Sequence, residues 1–174
     1  RWEGLVTLRR RKDARHRVDM PKIDLATAPH GQGTRYPEPH AGPCRDRTWV
    51  RLGDAVGLTQ FGANLVTLPP GAWSSQRHWH ATEDELVFVV AGELVLVTDG
   101  GEQVLRAGDA AGFPAGVRDG HHLQNRSAAD AQFLVIGTRT EDDWGEYPDI
   151  DMAFRRVPGG GAAFLHKDGR PYGT

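Results

Sequence analysis

The chain has 174 residues, a formal net charge of -2, 22 glycines, 11 prolines and a single cysteine, Cys44. This length fits one domain with a sizeable core, the near-neutral charge gives no global drive toward nucleic acid or membrane, and one cysteine excludes an internal disulfide and fits a reducing compartment. Because no apolar run approaches the roughly 20 residues that span a bilayer and no secretory apolar segment is present, we expect a soluble cytoplasmic protein.

Residues 1–46 are predicted to form a leader followed by an extended arm. Residues 1–19 carry seven Arg or Lys against three acidic residues, a composition that would also suit a phosphate- or lipid-binding arm. Because position 1 is Arg and Met20 opens a more ordinary start, we favour an over-extended gene start, a tag remnant or a floppy leader. Residues 20–46 are rich in Pro and Gly, and Pro favours extended backbone, which predicts an arm lying over the domain.

Residues 47–139 are predicted to form a single β domain. The predicted strands are 48–52, 61–68, 85–90, 94–98, 103–105, 110–113, 121–125 and 131–138. Short strands separated by Gly turns predict an antiparallel sandwich or barrel, and no helix-turn-helix accompanies them, which counts against a DNA-binding regulator. The run 85–90 is continuously apolar after its first residue, which predicts burial on both faces, one against the lumen and one against another layer or subunit.

Residues 140–174 are predicted to be a C-terminal tail that packs back on the β domain. Apolar pieces lie on either side of a glycine-rich stretch at 158–161. Glycine in series is typical of a flexible connector. The tail is therefore expected to contribute packing and no chemistry.

Two ordered motifs contain the residue types that bind transition metals. Residues 71–92 have the form G-x6-H-x-H-x4-E-x6-G, and residues 108–125 have the form G-x5-P-x-G-x4-H-x3-N. Side chains at positions i and i+2 of a strand share a face, so the two histidines of the first motif are expected side by side. Imidazoles and a carboxylate suit one divalent transition metal. The candidate ligands are His78, His80, Glu85 and His121.

The two motifs resemble the signature motifs of the cupin superfamily, and the chain is similar to its small single-domain bacterial members, the RmlC-like monocupins. The usual family spacing is one residue tighter before the first His and two tighter before the last, but every residue type is kept. The resemblance implies an all-β fold, a double-stranded β-helix (jelly-roll-like) barrel, with an extended N-terminal arm and a short C-terminal tail. It also implies a homodimer and a metal held by the four candidate ligands.

Two ligand assignments have neighbours that compete with them. Asp84 is the alternative to Glu85 as the carboxylate, while Glu83 is expected to cap the chain or face solvent. The spacing H-x3-N selects His121 over His122, which is expected to point outward. Strand alternation also places Gln76 on the side of the paired histidines, and the further substrate-binding candidates are Asn125 and Trp73.

Three functions remain open at this point. The first is a metalloenzyme of the oxygenase type that acts on a small oxygen-rich molecule, with Glu85 as ligand and base. The second is an isomerase or epimerase of a sugar or sugar phosphate, which requires an inward Arg or Lys that alternation does not supply. The third is a non-catalytic small-molecule or metal-binding module. The ligand types fit Fe, Mn, Ni, Co, Cu or Zn, and fold alone does not choose among activities.

Overall fold

The structure, a computed structural model, describes residues 22–157 and 161–172. The predicted leader at 1–19 and most of the glycine-rich stretch at 158–161 lie outside the described residues. The twelve strands are β1 (His30–Gln32), β2 (Thr48–Arg51), β3 (Phe61–Leu68), β4 (Glu85–Ala91), β5 (Glu93–Thr98), β6 (Gly101–Arg106), β7 (Ala110–Phe113), β8 (His122–Gln124), β9 (Ala131–Thr138), β10 (Trp144–Tyr147), β11 (Met152–Arg156) and β12 (Ala162–Leu165). Helical structure within these described residues is limited to a 3-10 turn at Gly42–Cys44 and one turn of α-helix, α1 (Leu52–Ala55).

The strands form three antiparallel sheets. A six-stranded sheet has the order β1-β2-β3-β9-β4-β7, a three-stranded sheet has the order β6-β5-β8, and β10-β11-β12 form the third. The prediction of a mostly β fold is confirmed. The predicted arm contributes an edge strand, since β1 pairs with β2, and the tail forms a sheet of its own.

The main core lies between the first two sheets. It combines buried side chains of the six-stranded sheet, such as Leu68 and Val89, with buried side chains of the three-stranded sheet, such as Leu94. Complete burial of a side chain of this size contributes roughly 1.5–3 kcal/mol. A second cluster, built on Met152 and Phe154, belongs to the third sheet. Both clusters are apolar, so the polar residues between them stand out as candidates for function.

Strand β4 is buried on only one face within the chain. Val87 and Val89 are buried, whereas Leu86, Phe88 and Val90 are between 41% and 47% exposed. Within the chain only the inner face of β4 is covered, and the expected cover of its other face by a subunit stays a prediction. We call the exposed triplet the β4 ridge. Among the described residues, no helix has the length and apolar character needed to cross a membrane.

The part of the first motif that leads into its two histidines does not form a regular strand. Residues 74–77 are bends, and His78 makes only an isolated bridge to His121. Strict alternation therefore fails just before the histidines. The turn after β4 behaves as expected: Gly92 has a φ of 78°, and an added Cβ would lie 2.9 Å from the Cα of Ala131.

Candidate metal centre

The two motifs meet at the bridge between His78 and His121. The His78 N–H donates to the His121 carbonyl at 3.2 Å, and the His121 N–H donates to the His78 carbonyl at 2.9 Å. Glu85 begins β4 and lines the same cavity. The two motifs thus bring the four predicted ligands into one region as two pairs, although among the described residues no three of the four have ligand atoms all within 4.8 Å of one another.

Within this group the ligand atoms form two close pairs. The Nε2 atoms of His78 and His80 are 3.1 Å apart, and His121 Nε2 lies 3.4 Å from Glu85 Oε1. Ligands in adjacent positions of an octahedral ion with bonds of about 2.1 Å are about 3 Å apart. The spacing of each pair therefore suits two donors that share one ion.

The hydrogen bonds of the first pair determine where its lone pairs point. His78 Nδ1 lies 3.0 Å from the carbonyl oxygen of Gln76, and His80 Nδ1 lies 2.6 Å from Asp143 Oδ2. A carbonyl and a carboxylate oxygen only accept hydrogen bonds, so each neutral ring carries its proton on Nδ1. The two Nε2 atoms lie 3.1 Å apart, so a protonated His80 donates to His78 when no metal is bound, and both lone pairs are available to a metal when both rings are neutral.

His121 provides independent support for a bound cation. Its side chain is 4% exposed, its ring stacks on Phe113 at 3.6 Å, and neither ring nitrogen has a hydrogen-bond partner among the described residues. The contact with Glu85 is within ion-pair range but does not have hydrogen-bond geometry. Buried polar atoms without partners are rare. The residues present therefore fit a divalent transition metal in donor type, and a single shared ion would require the two pairs to move closer together.

Burial and neighbouring charges tune these groups in opposite directions. Burial, together with His80 and His121, holds the pKa of His78 well below its usual value, so this ring is neutral near pH 7. For His80, burial is outweighed by the hydrogen bond to Asp143 and the charge of Glu85, and its pKa is raised. For Glu85, burial is outweighed by His121, and its pKa is lowered. The carboxyl group is therefore ionised and available as a ligand.

A second acidic group surrounds His80. Ligand atoms of His80, Glu83 and Asp143 all lie within 4.8 Å of one another. Both Glu83 oxygens, however, accept from Arg156 at 2.6 and 2.7 Å, and Asp143 accepts from the Thr82 N–H at 3.0 Å. These carboxylates are satisfied by protein donors, so we assign the group to the orientation of His80, as is usual for the outer partners of metal ligands.

Several neighbours of the predicted ligands occupy other positions than expected. Glu83 does not face solvent: it is buried, paired with Arg156, and caps the Thr140 N–H at 2.8 Å. Asp84 accepts from the Ala115 N–H at 2.8 Å and so fixes a turn. His122 is buried, lines the cavity and contacts the Ser75 carbonyl at 2.9 Å through Nδ1. It therefore does not point outward.

The three substrate-binding candidates make contacts of a structural kind. The side chain of Gln76 donates to the His40 carbonyl at 2.7 Å. Asn125, which is fully buried, donates to the carbonyls of two backbone segments at 2.7 and 2.8 Å. The Trp73 ring packs against His122. None of the three lines the cavity.

The cavity itself has a volume of about 300 Å³. Besides the candidate ligands, it is lined by Tyr36, Arg47 and Ser75. Tyr36 and Arg47 come from the predicted arm and the residue before β2, and Asp143 comes from the predicted tail. Sequence reasoning missed these three because nothing in their spacing relates them to the motifs.

The fold and the site together define a class of protein, a small β domain with imidazoles and a carboxylate lining an internal cavity. The family described as Cupin domain matches residues 64–137. A sugar phosphate isomerase of the cupin superfamily from Silicibacter pomeroyi is 47% identical, with a TM-score of 0.83 over 88% of this chain and 98% of the other. The chain therefore belongs to the cupin superfamily.

Two further solved structures are similar. A protein from Acidithiobacillus ferrooxidans, whose assignment as a sugar phosphate isomerase is provisional, is 29% identical, with a TM-score of 0.66 over 74% of this chain and 81% of the other. A Thermotoga maritima protein predicted to be an oxalate decarboxylase is 20% identical, with a TM-score of 0.57 over 69% of this chain and 100% of the other, and shares the fold alone. Comparison with curated proteins gives no match.

Proposed function

We propose that this chain is a metal-dependent isomerase or epimerase acting on a small sugar or sugar phosphate. The observation that carries the proposal is the facing pair of His78 and His80 Nε2 atoms, 3.1 Å apart with both Nδ1 protons committed elsewhere. His78, His80, Glu85 and His121 would hold the ion. The similarity to a sugar phosphate isomerase at 47% identity supports this choice among metal-dependent reactions.

The chemistry of the lining residues suits a hydroxy-carbonyl substrate. A bound divalent ion supplies Lewis-acid polarisation of a carbonyl oxygen. Ser75 and Tyr36 offer hydroxyl groups to the cavity, and hydroxyl groups both donate and accept hydrogen bonds to sugar oxygens. Glu85 is the carboxylate nearest to the reacting end, and it serves as ligand and as the candidate proton acceptor.

The requirement for an inward cation is met by a residue outside the motifs. Arg47 lines the same cavity as His78, Glu85 and His121. It precedes β2, so alternation along the first motif gives no sign of it. This residue supplies the inward cation that the isomerase hypothesis requires, and the choice of the isomerase over an oxygenase of an anionic substrate is supported by the similarity to a sugar phosphate isomerase.

The proposal is tested first by metal content and then by turnover. Protein purified without added metal is analysed for Fe, Mn, Ni, Co, Cu and Zn, and one ion per chain is expected. A panel of aldoses, ketoses and their phosphates is then followed by NMR with and without oxygen. Isomerisation that continues without oxygen supports the proposal. Oxygen consumption that accompanies turnover would show an oxygenase instead, and an occupied site without turnover would show a binding module.

The predicted homodimer is proposed to form through the β4 ridge. Leu86, Phe88 and Val90 present three adjacent apolar side chains on one face of the six-stranded sheet. Contiguous exposed apolar side chains of this kind are typical of protein interfaces. Two copies of the ridge facing each other would give a symmetric, self-complementary contact.

A further inference from the structure

Arg47 occupies the junction of three adjoining cavities. It lines the cavity with His78, Glu85 and His121, the depression beside His80 and Asp143, and a larger groove that shares lining residues with both. A guanidinium group at this point faces any molecule that extends from the candidate ligands toward the surface.

The side chain of Arg47 is positioned by the protein and is not neutralised by it. Its Nε–H donates to the Gly33 carbonyl at 2.9 Å, Nη1 donates to the Ser74 carbonyl, and the guanidinium lies 5.5 Å from the Trp49 ring centroid. No ion pair formed within residues 22–157 and 161–172 involves Arg47. Carbonyl oxygens accept the hydrogen bonds of the half-buried guanidinium but do not neutralise its charge, so an anion bound beside it would be stabilised.

The groove around Arg47 has an excess of positive charge. Five arginines line it against two acidic residues, Asp54 and Glu141, and one of the five, Arg156, is paired with Glu83. Arg139 forms an ion pair with Asp54 at 2.6 Å. Arg51 lies 3.9 Å from the same carboxylate, so its ion pair with Asp54 is the longer of the two. Arg35 makes no ion pair among the described residues either. Adding a divalent cation beside Arg47 would raise the local positive charge further, so an anionic ligand is the natural complement.

We propose that Arg47, with Arg35 and Arg51 along the groove, forms a subsite for a phosphomonoester dianion. This inference rests on the proposed function and narrows its substrate class to phosphorylated sugars. The phosphate lies at Arg47, and the carbonyl end of the same molecule lies at His78, Glu85 and His121. Arginine suits this role because its planar donors match phosphate oxygens in pairs.

The subsite is tested by a binding comparison that does not depend on turnover. Calorimetry on the purified protein measures three probes: inorganic phosphate, glucose, and glucose 6-phosphate. The variants are Arg47→Gln, Arg51→Gln, which keeps the contacts of Arg47 intact, and Arg106→Gln, a control that removes an exposed charge paired with Glu93. Thermal unfolding and metal content of each variant show whether it is folded and loaded.

We expect Arg47→Gln to weaken phosphate and glucose 6-phosphate by about tenfold to a hundredfold, since a charge-assisted hydrogen bond is lost. Glucose should be unaffected. Arg51→Gln should weaken the two phosphates by about threefold, as for an exposed charge, and Arg106→Gln should change nothing. Unchanged phosphate affinity in both Arg47→Gln and Arg51→Gln would overturn the subsite. The subsite would also be overturned if glucose 6-phosphate bound no more tightly than glucose. In that case the phosphate group of a sugar phosphate would add no affinity, and the arginines would bind inorganic phosphate alone.

The outcomes separate this inference from the proposed function. If no isomerisation is found but Arg47→Gln selectively weakens the phosphorylated probe, the subsite stands and the isomerase fails. If isomerisation proceeds on unphosphorylated sugars and is indifferent to Arg47→Gln, the isomerase stands and the subsite fails.

Discussion

Asp143→Asn is predicted to weaken metal binding without touching a ligand. Asp143 is 1% exposed, and it accepts from His80 Nδ1 at 2.6 Å and from the Thr82 N–H and hydroxyl at 3.0 and 3.2 Å. An asparagine at this position must point its NH2 group at either His80 or Thr82. Both residues donate hydrogen bonds to Asp143, so the NH2 group would face another donor in either orientation. If the amide faces His80 with its NH2 group, the ring proton moves to Nε2 and removes the lone pair that a metal needs.

The size of the effect follows from the position of Asp143 outside the ligand set. Loss of an outer partner of a metal-bound histidine costs about 10–100-fold in metal affinity, which corresponds to about 1.4–2.8 kcal/mol. Competition of the protein with a chelator for Zn²⁺ or Mn²⁺ measures the change. Asp142→Asn is the matched control, because Asp142 is exposed and the substitution removes the same charge. Equal metal affinity in Asp143→Asn and the native chain would refute the assigned proton positions.

Three further changes test other parts of the structure. His80→Ala should abolish stoichiometric metal while the domain stays folded by circular dichroism, and retained metal would show that the ligand set is different. Phe88→Glu in the β4 ridge should convert a dimer to a species near 19 kDa in sedimentation; a dimer that persists would place the interface elsewhere. Gly145→Ala should lower the melting temperature strongly, because an added Cβ would overlap the Trp79 carbonyl and come within 2.6 Å of the Phe154 ring, whereas Gly42→Ala, with open space around it, should not.

The local sequence pattern was sufficient to predict the strands of the first two sheets. Strands β3 and β9 begin and end at the predicted residues, 61–68 and 131–138, because alternating burial and flanking turns specify them locally. The apolar run of β4 was harder, since periodicity does not distinguish a strand covered on both faces from one with an exposed apolar ridge. The bends at 74–77 likewise interrupt the strand alternation that the sequence predicts for these residues.

The candidate ligands were predictable, and their supporting residues were not. The four candidate ligands lie in two short motifs with fixed spacing, so a pattern proposes them, and their role as ligands stays a prediction. His80 and Asp143, by contrast, are 63 residues apart, and Arg47 is related to the ligands only through the packing of β2 beside β3. Contacts of this kind depend on sheet order, which one sequence does not encode locally.

The division of the site between motif and flanks has a consequence for protein engineering. Residues 64–137 carry all four candidate ligands, whereas Arg47, Tyr36 and Asp143 are contributed from either side of that segment. A fragment limited to residues 64–137 would keep the four candidate metal ligands. It would lose Asp143, which orients His80, and Tyr36 and Arg47, which line the cavity. Exchanging only the flanking segments between relatives should therefore transfer substrate preference while leaving the inner coordination sphere untouched.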